Sequence, residues 1–287
     1  MNFSDFLTEY EQQIRLSCFF SILILIAIWE LLAPRRALTI SKTIRWVNNL
    51  GLVFFNSIVV WLVLPIAAVG VANFAQHNSW GLFNSIDVAY PIAIIGSIVL
   101  LDLAIYLQHV MVHAIPLFWR LHRVHHADLD YDVTTGSRFH TLEILFSALL
   151  KFALILLIGP PLVAVILFEI ILNAASMFNH GNIRLPKSLD KLLRLLIVTP
   201  DMHRVHHSIE DDETNSNFGF NLSIWDRIFG TYRAQPRAGH KDMTIGIRSM
   251  REIKKVAWLP GMLQIPFIGK VTDYSINRRE WHEDTKL

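Results

Sequence analysis

The sequence predicts an all-α fold: a polytopic membrane helical bundle of three spans plus a helical hairpin, carrying a cytoplasmic histidine-rich helical cap. Three observations predict it. Hydrophobic residues make up 53% of the 287 and charged ones only 17%, with a mean hydropathy of +0.39, whereas soluble domains carry about a quarter charged residues. Apolar runs recur at lengths that match a bilayer. Ten of the thirteen histidines fall between positions 109 and 207.

The runs Leu16–Leu32, Leu50–Gly70 and Val88–Gln108 are the expected spans. Each approaches the ~20 residues that cover ~30 Å at 1.5 Å per residue. The first follows Asp5, Glu9 and Glu11 rather than a basic segment and precedes no small-x-small cleavage pattern, so a retained helix is expected. Its lone Cys18 excludes intrachain disulfides and cysteine-rich metal sites. A fourth block, Leu142–Phe178, is interrupted by Gly159-Pro160-Pro161. Proline removes donors and ends helices, so two helices joined by a tight turn are expected, either spanning or dipping in and returning.

Arg35, Arg36, Lys42 and Arg45 lie between the first two spans, and Ala72–Asp87, between the second and third, holds no Lys or Arg. The positive-inside rule then puts the amino terminus outside and the histidine segments in the cytoplasm, in a cell inner membrane or endoplasmic reticulum. The net charge of +2 asks for no more than a basic juxtamembrane surface, and no nucleic-acid motif is present. Residues 1–100 read as membrane-anchoring helices, 101–235 as the catalytic domain and 236–287 as a tail. Within that tail, Arg248, Arg251, Lys254 and Lys255 alternate with Ile247, Val256, Trp258 and Leu259. This pattern suits an interfacial segment or a helix packed on the cytoplasmic domain.

The pentapeptide His-Arg-Val-His-His occurs twice, at His122–His126 and His203–His207. Thr199, Pro200 and Asp201 give the second copy a helix start. On a helix His122, His125 and His126 share one face, as do His203, His206 and His207. Each triplet can serve one ion or bridge two. Asp102, Tyr106, His109 and His113 form a stripe on the third span, and Glu169, Asn173, Ser176 and His180 repeat it on the fifth apolar segment. The two stripes are expected to face each other, with Asp102 orienting a histidine or a water. His140 stands one turn before Glu143, as a ligand or a supporting residue; Asp102, Glu143 and Glu169 read as supporting carboxylates. His77, His240 and His282 lie outside the pattern and read as surface residues.

A single histidine on an apolar face is usually a hydrogen-bonded core residue, but ten in local groups are too many for that reading. They also exceed what one ion takes. Two ions with four or five nitrogen ligands each, and an open position, account for the number. Such a donor set suits iron, copper or zinc. Only the redox metals activate oxygen, which favours two irons, with zinc able to replace them in a purified sample.

These residues resemble the fatty acid hydroxylase/sterol desaturase superfamily of membrane di-iron oxygenases. The matching pieces are Asp102-x3-Tyr-x2-His-x3-His113, Trp119-Arg-x-His-x2-His-His126, Arg138-x-His-x2-Glu143, Asn179-His180, His203-x2-His-His207 and Asn217-Phe-Gly-Phe-Asn-Leu-Ser-Ile-Trp-Asp-Arg-Ile-Phe-Gly-Thr-Tyr232. The resemblance implies that His109, His113, His122, His125, His126, His180, His203, His206 and His207 bind two irons. His140 matches a motif position too, and Asp102, Tyr106, Glu143 and Asn179 are implied supporting residues. Thr141 stands where members commonly have proline. The implied reaction uses O2 to hydroxylate an unactivated C–H bond of a lipid (sterol, fatty acyl or related) reached from the bilayer, with desaturation or demethylating oxidation as the alternative. No nucleotide fingerprint, iron–sulfur cysteine set or haem motif is present, so an external reductase, ferredoxin or cytochrome is expected as electron donor. Arg227, Arg233, Arg237 and Lys241 form its candidate docking surface, or a contact to lipid headgroups. A histidine-rich metal transporter is the rival from another class; it would need a histidine path through the membrane.

Overall fold

The computed structural model describes residues 3–269, which fold into helices joined by short links and isolated bridges. In chain order the helices are α1 (Phe3–Glu9), α2 (Glu11–Leu32), α3 (Lys42–Val63), α4 (Ala68–His77), α5 (Leu82–Ser85), α6 (Tyr90–Ala114), α7 (Pro116–His126), α8 (Thr141–Ile158), α9 (Leu162–Asn179), α10 (Lys187–Leu193), α11 (Pro200–His206), α12 (Asp211–Thr214), α13 (Ile224–Ile228), α14 (Gly239–Asp242), α15 (Ile253–Val256) and α16 (Leu259–Gln264). Among the described residues, five segments are long and apolar enough to cross a membrane: α2, the run from α3 through α5, α6, α8 and α9. The chain is an integral membrane protein. Leu25, Leu32, Trp61, Leu62, Ile95 and Leu157 all stay exposed, as residues solvated by lipid do.

The second span departs from its expected bounds. Its helix begins earlier, at Lys42, where Ser41 caps the Ile44 amide, and ends at Val63. Pro65 cannot continue the backbone ladder, so α3 stops at Val63 and α4 restarts at Ala68. This break lets Ala68, Val69, Val71 and Ala72 wedge against Ile155 of α8 and against Val165 and Ile166 of α9. The α8–α9 turn forms where expected. Gly159 adopts φ +62, and a Cβ there would come 2.7 Å from the Trp80 carbonyl oxygen. At 18 residues each, α8 and α9 are long and apolar enough to span.

The histidine end is held by buried polar bonds. After the first pentapeptide the chain turns through Asp128, Asp130 and Asp132, all buried. Arg45 of α3 binds both Asp128 oxygens, at 2.9 and 2.7 Å, together with Asp132 and the Thr135 hydroxyl. Arg45 and Arg138 hold the Asp128 carboxyl well below the usual carboxylate range against the opposing effect of burial. Asp130 accepts the amides of Thr39 and Ile40 at 2.8–2.9 Å. Glu30 of α2 accepts those of Val133 and Asn182 at 2.7 and 2.9 Å. The α2–α3 link is thereby fastened to the segments that follow His126 and His180.

The tail closes the other flank. Ile247, Val256, Met262 and Ile265 pack with Leu52, Trp119, Val124 and Ala127, while Arg138 binds the Val256 carbonyl and Arg123 those of Ile265 and Ile268. Of the two expectations for this segment, packing on the histidine helices describes Ile247 and Val256; Trp258 and Phe267 remain exposed.

Replacing Arg45 by Met takes the cation from buried Asp132 and leaves buried Asp128 with Arg138 alone, a loss of about 3–5 kcal/mol by precedent for broken buried pairs. The expected result is a lower apparent melting temperature in detergent at fixed scan rate. Adding Asp128→Asn and Asp132→Asn to that variant should recover part of the loss.

Candidate metal centre

Nine of the ten histidines singled out in the sequence come together at one end of the bundle. The last two turns of α6 bring His109 and His113, α7 brings His122, His125 and His126, the C-cap of α9 is His180, and α11 with its C-cap brings His203, His206 and His207. None is more than 6% exposed. Their ring nitrogens sort into a group of five, His109, His113, His122, His126 and His206, and a group of four, His125, His180, His203 and His207. Within each group the candidate ligand atoms lie within 4.8 Å of one another. Both pentapeptides therefore divide between the groups, the bridging option of the two open from spacing alone.

Several rings are oriented from behind. Nδ1 lies 2.8 Å from the Phe218 carbonyl in His109, 2.8 Å from that of Ser216 in His206 and 2.8 Å from that of Ser176 in His180. Nδ1 of His122 lies 2.6 Å from Glu143 Oε1, and that of His113 3.3 Å from Asn215 Oδ1. An acceptor behind Nδ1 fixes the tautomer and leaves Nε2 bare to face inward. The Nε2 atoms of His109, His122, His206 and His207 have no hydrogen-bond partner among the described residues, a costly arrangement for buried nitrogens without a ligand. Three Nε2 pairs, His113–His126, His125–His180 and His180–His203, stand 3.1–3.2 Å apart. Two nitrogens each ~2.0–2.1 Å from a shared ion would stand about 2.9–3.4 Å apart. The donor set fits transition-metal ions.

Burial, and then repulsion among neighbouring imidazoles, pushes His125, His126, His203 and His207 well below the usual histidine value. His180 and His206 are pushed down to about 3, chiefly by burial. These rings are neutral at pH 7, the state that binds metal. An aromatic wall surrounds them: Phe139 stacks on His125 at 4.5 Å, Trp119 lies 4.8 Å from His113, and Tyr131 stacks on His180 at 5.4 Å.

Several residues take places other than those expected. His140 stands apart from both groups, capping α8 with Nδ1 accepting from the Leu142 amide at 3.2 Å and Nε2 3.3 Å from the Leu263 carbonyl. The two polar stripes do not face each other: α6 and α9 pack through Leu101, Ile105, Phe168 and Leu172. Glu169 instead pairs with Lys151 of α8 and Arg15 of α2, and Asn173 bonds the Glu169 carbonyl within its own helix. Asp102 orients no histidine; it accepts the Trp225 indole N–H at 2.8 Å and the Leu222 amide at 3.3 Å. Tyr106 bonds Thr231 at 2.9 Å, and Asn179 donates to the Phe220 carbonyl at 2.9 Å. His240 is not a surface residue: it is 4% exposed, 3.6 Å from Asp201, and burial lowers it to about 3. His77 is exposed as expected, and His282 lies outside the described residues. Arg233 and Arg237 both pair with Asp212, so they are not free charges on a docking surface.

Sequence reasoning missed how the block 217–232 shapes the site. Asp226 accepts the amides of Phe218 and Gly219 at 2.7 and 2.8 Å and the Thr231 hydroxyl at 2.7 Å, yet burial still pushes it up to about 6. Gly219 is required there, because a Cβ would come 2.5 Å from Asp226 Oδ2. This fold presents the Phe218 carbonyl to His109. A backbone carbonyl has no residue signature; the only signal was the conjunction of Asn217, Gly219 and Asp226. A cavity of about 600 Å³, lined by Asp5, Glu9, Gln76, Asn84 and Leu162, opens at the opposite end of the bundle and contains none of the histidines.

Comparison with known proteins finds its matches in the part of the chain that holds these histidines. Residues 94–231 match the fatty acid hydroxylase family. The chain carries a fatty acid hydroxylase domain. That domain holds all nine clustered histidines and most of the polar block behind them. The chain is 30% identical over 158 residues to the ornithine lipid hydroxylase OlsE of Rhizobium tropici, covering 54% of this chain and 47% of the relative. It is 30% identical over 158 residues to the alkylglycerol monooxygenase of Homo sapiens, covering 53% and 33% respectively. To that of Danio rerio it is 34% identical over 131 residues, covering 46% and 28%. The chain thus spans less than half the length of these curated relatives. No solved structure matches the chain.

Unfolding the metal-free hydroxylase domain returns its buried imidazoles to an ordinary value near 6.5. The unfolded state then binds more protons below that pH, so histidine-linked stability is complete above about pH 6.5 and declines as pH falls toward about 3. Denaturant midpoints of chelator-treated protein should fall between pH 7 and 5 with an uptake of more than one proton per molecule. A flat profile would show that the rings are solvated.

Proposed function

We propose that this chain is a membrane-bound di-iron oxygenase that uses O2 and external electrons to hydroxylate an unactivated C–H bond of a lipid. The observation that carries the reading is the pair of buried imidazole groups, five and four, inside a fatty acid hydroxylase domain at one end of apolar helices. His109, His113, His122, His126 and His206 would hold one iron, and His125, His180, His203 and His207 the other. Bound iron supplies the redox chemistry that couples O2 reduction to oxidation of the C–H bond. Glu143 orients His122, and the backbone carbonyls of Phe218, Ser216 and Ser176 orient His109, His206 and His180. Phe139, Trp119, Tyr131 and Phe218 keep water from the rings.

The two relatives described as a lipid hydroxylase and a monooxygenase support hydroxylation over desaturation. They also support a lipid substrate and an electron donor. In this reading the lipid would reach the site from the bilayer along the apolar helices, and the donor would be a separate reductase, ferredoxin or cytochrome. The basic residues between α2 and α3 favour a cytoplasmic histidine end, which puts the opposite end of α2 outside. A transporter would need ligands strung along the spans; the nine histidines sit together at one end.

Three measurements test this reading. Elemental analysis of protein purified anaerobically should find two irons per chain, with metal lost in His206→Ala and in His207→Ala but retained in His140→Ala. Protein in vesicles with a reductant and ¹⁸O2 should place one ¹⁸O atom in a lipid; fully loaded protein that leaves every lipid unchanged would overturn the proposal. Glu143→Gln, which keeps the shape but weakens the bond to His122, should lower turnover or iron affinity about 10–100-fold.

A further inference from the structure

The segment from α10 to the bridge at Ile197, together with α13, is too apolar for a surface in water. Leu192 and Leu195 are each 63% exposed, Leu196 66%, Ile228 61% and Phe229 51%. They form one surface, because Val198 donates to the Asn221 carbonyl, Ser223 to that of Leu196, and Arg227 to that of Arg194. The exposed charges among them are of one sign: Arg184, Lys187, Lys191 and Arg227. The neighbouring acids are withdrawn. Asp190 is buried against Arg194 and the Thr199 hydroxyl, and Asp226 is buried within its own loop. Broad exposed apolar surface rimmed by Lys and Arg is the make-up of an element lying in a membrane interface.

The surface also continues the lipid-facing side of a spanning helix. Phe229 stacks on Tyr106 of α6 at 5.2 Å and Trp225 donates to Asp102 of α6, while Leu100 and Leu107 of that helix are exposed. We propose that α10 and α13 lie in the plane of the membrane at the histidine end, with Leu192, Leu195, Leu196, Ile228 and Phe229 among the acyl chains and Lys187, Lys191 and Arg227 at the headgroup phosphates. This arrangement assigns Arg227 to the lipid, whereas Arg233 and Arg237 pair with Asp212. It fixes the depth of the histidine groups against the bilayer. Acyl chains then meet the seam between α6 and α13, where Tyr106 stands one turn before His109. That consequence rests on the oxygenase reading; the seating itself does not.

The test uses the full chain with Cys18→Ser, reconstituted in phosphatidylcholine–phosphatidylglycerol vesicles. Single cysteines replace Leu195, Ile228, Leu107 (a lipid-facing reference) and Arg237 (a water-facing reference), and each carries a nitroxide label. Power saturation with O2 and with a water-soluble nickel chelate reads depth. Labels at Leu195 and Ile228 should resemble that at Leu107: relaxed by O2 and several-fold less by the chelate than the label at Arg237. If they meet the chelate as freely as the label at Arg237, the surface lies in water and the proposal fails. If they meet neither agent, protein covers them and the proposal fails equally. Both readouts are independent of iron and turnover, so the oxygenase reading stands or falls separately.

Discussion

The burial of neutral imidazole is the constraint on which this structure depends. Nine rings, none more than 6% exposed, share one small volume. Protonated rings would repel one another there, and neutral rings carry an acceptor nitrogen that no group among the described residues satisfies in His109, His122 and His206. Two provisions follow from that. Acceptors stand behind Nδ1 and turn Nε2 inward, and the inward nitrogens gather at spacings two metal ligands would keep. Without a ligand the same arrangement is a set of buried, unpaired polar atoms.

Holding such rings requires a rigid surround, and the bilayer cannot supply one. Apolar side chains have no preference between lipid and each other, so the apolar spans alone give little rigidity at their ends. The polar bonds of Arg45, Asp128, Asp132, Asp130 and Glu30 provide it, because a buried charge network has one satisfied geometry. These bonds run from α2 and α3 to the loops after His126 and His180. The anchoring helices are therefore structural parts of the site. The tail serves similarly on the other flank, through Val256, Met262 and Ile265.

Much of this was legible in the residues. Period-four spacing placed His109 and His113 on one helical face, and Gly159-Pro160-Pro161 marked the turn between α8 and α9. Both are local: spacing along one helix and the chemistry of one turn decide them. The break at Pro65 was not read from hydropathy, because an apolar run looks the same on either side of an interrupted helix. Nothing local marked Asp128, Asp130 and Asp132 as buried, since their partners Thr39, Ile40 and Arg45 lie more than eighty residues earlier. His240 gave no local sign of burial for the same reason: Asp201 comes to it from another segment.

The amino-acid order by itself determined the solvent, the donor chemistry and the approximate number of clustered imidazoles, because composition, residue type and helical period are properties of the chain. Only the tertiary structure decided which ring joins which group. In each pentapeptide, neighbours on one helical face point to different groups, His126 to the five and His125 to the four, His206 to the five and His203 to the four. That division depends on where α6, α9 and the 217–232 block place their own nitrogens and carbonyls. A direction in space between distant segments has no counterpart in the spacing of residues along a single one.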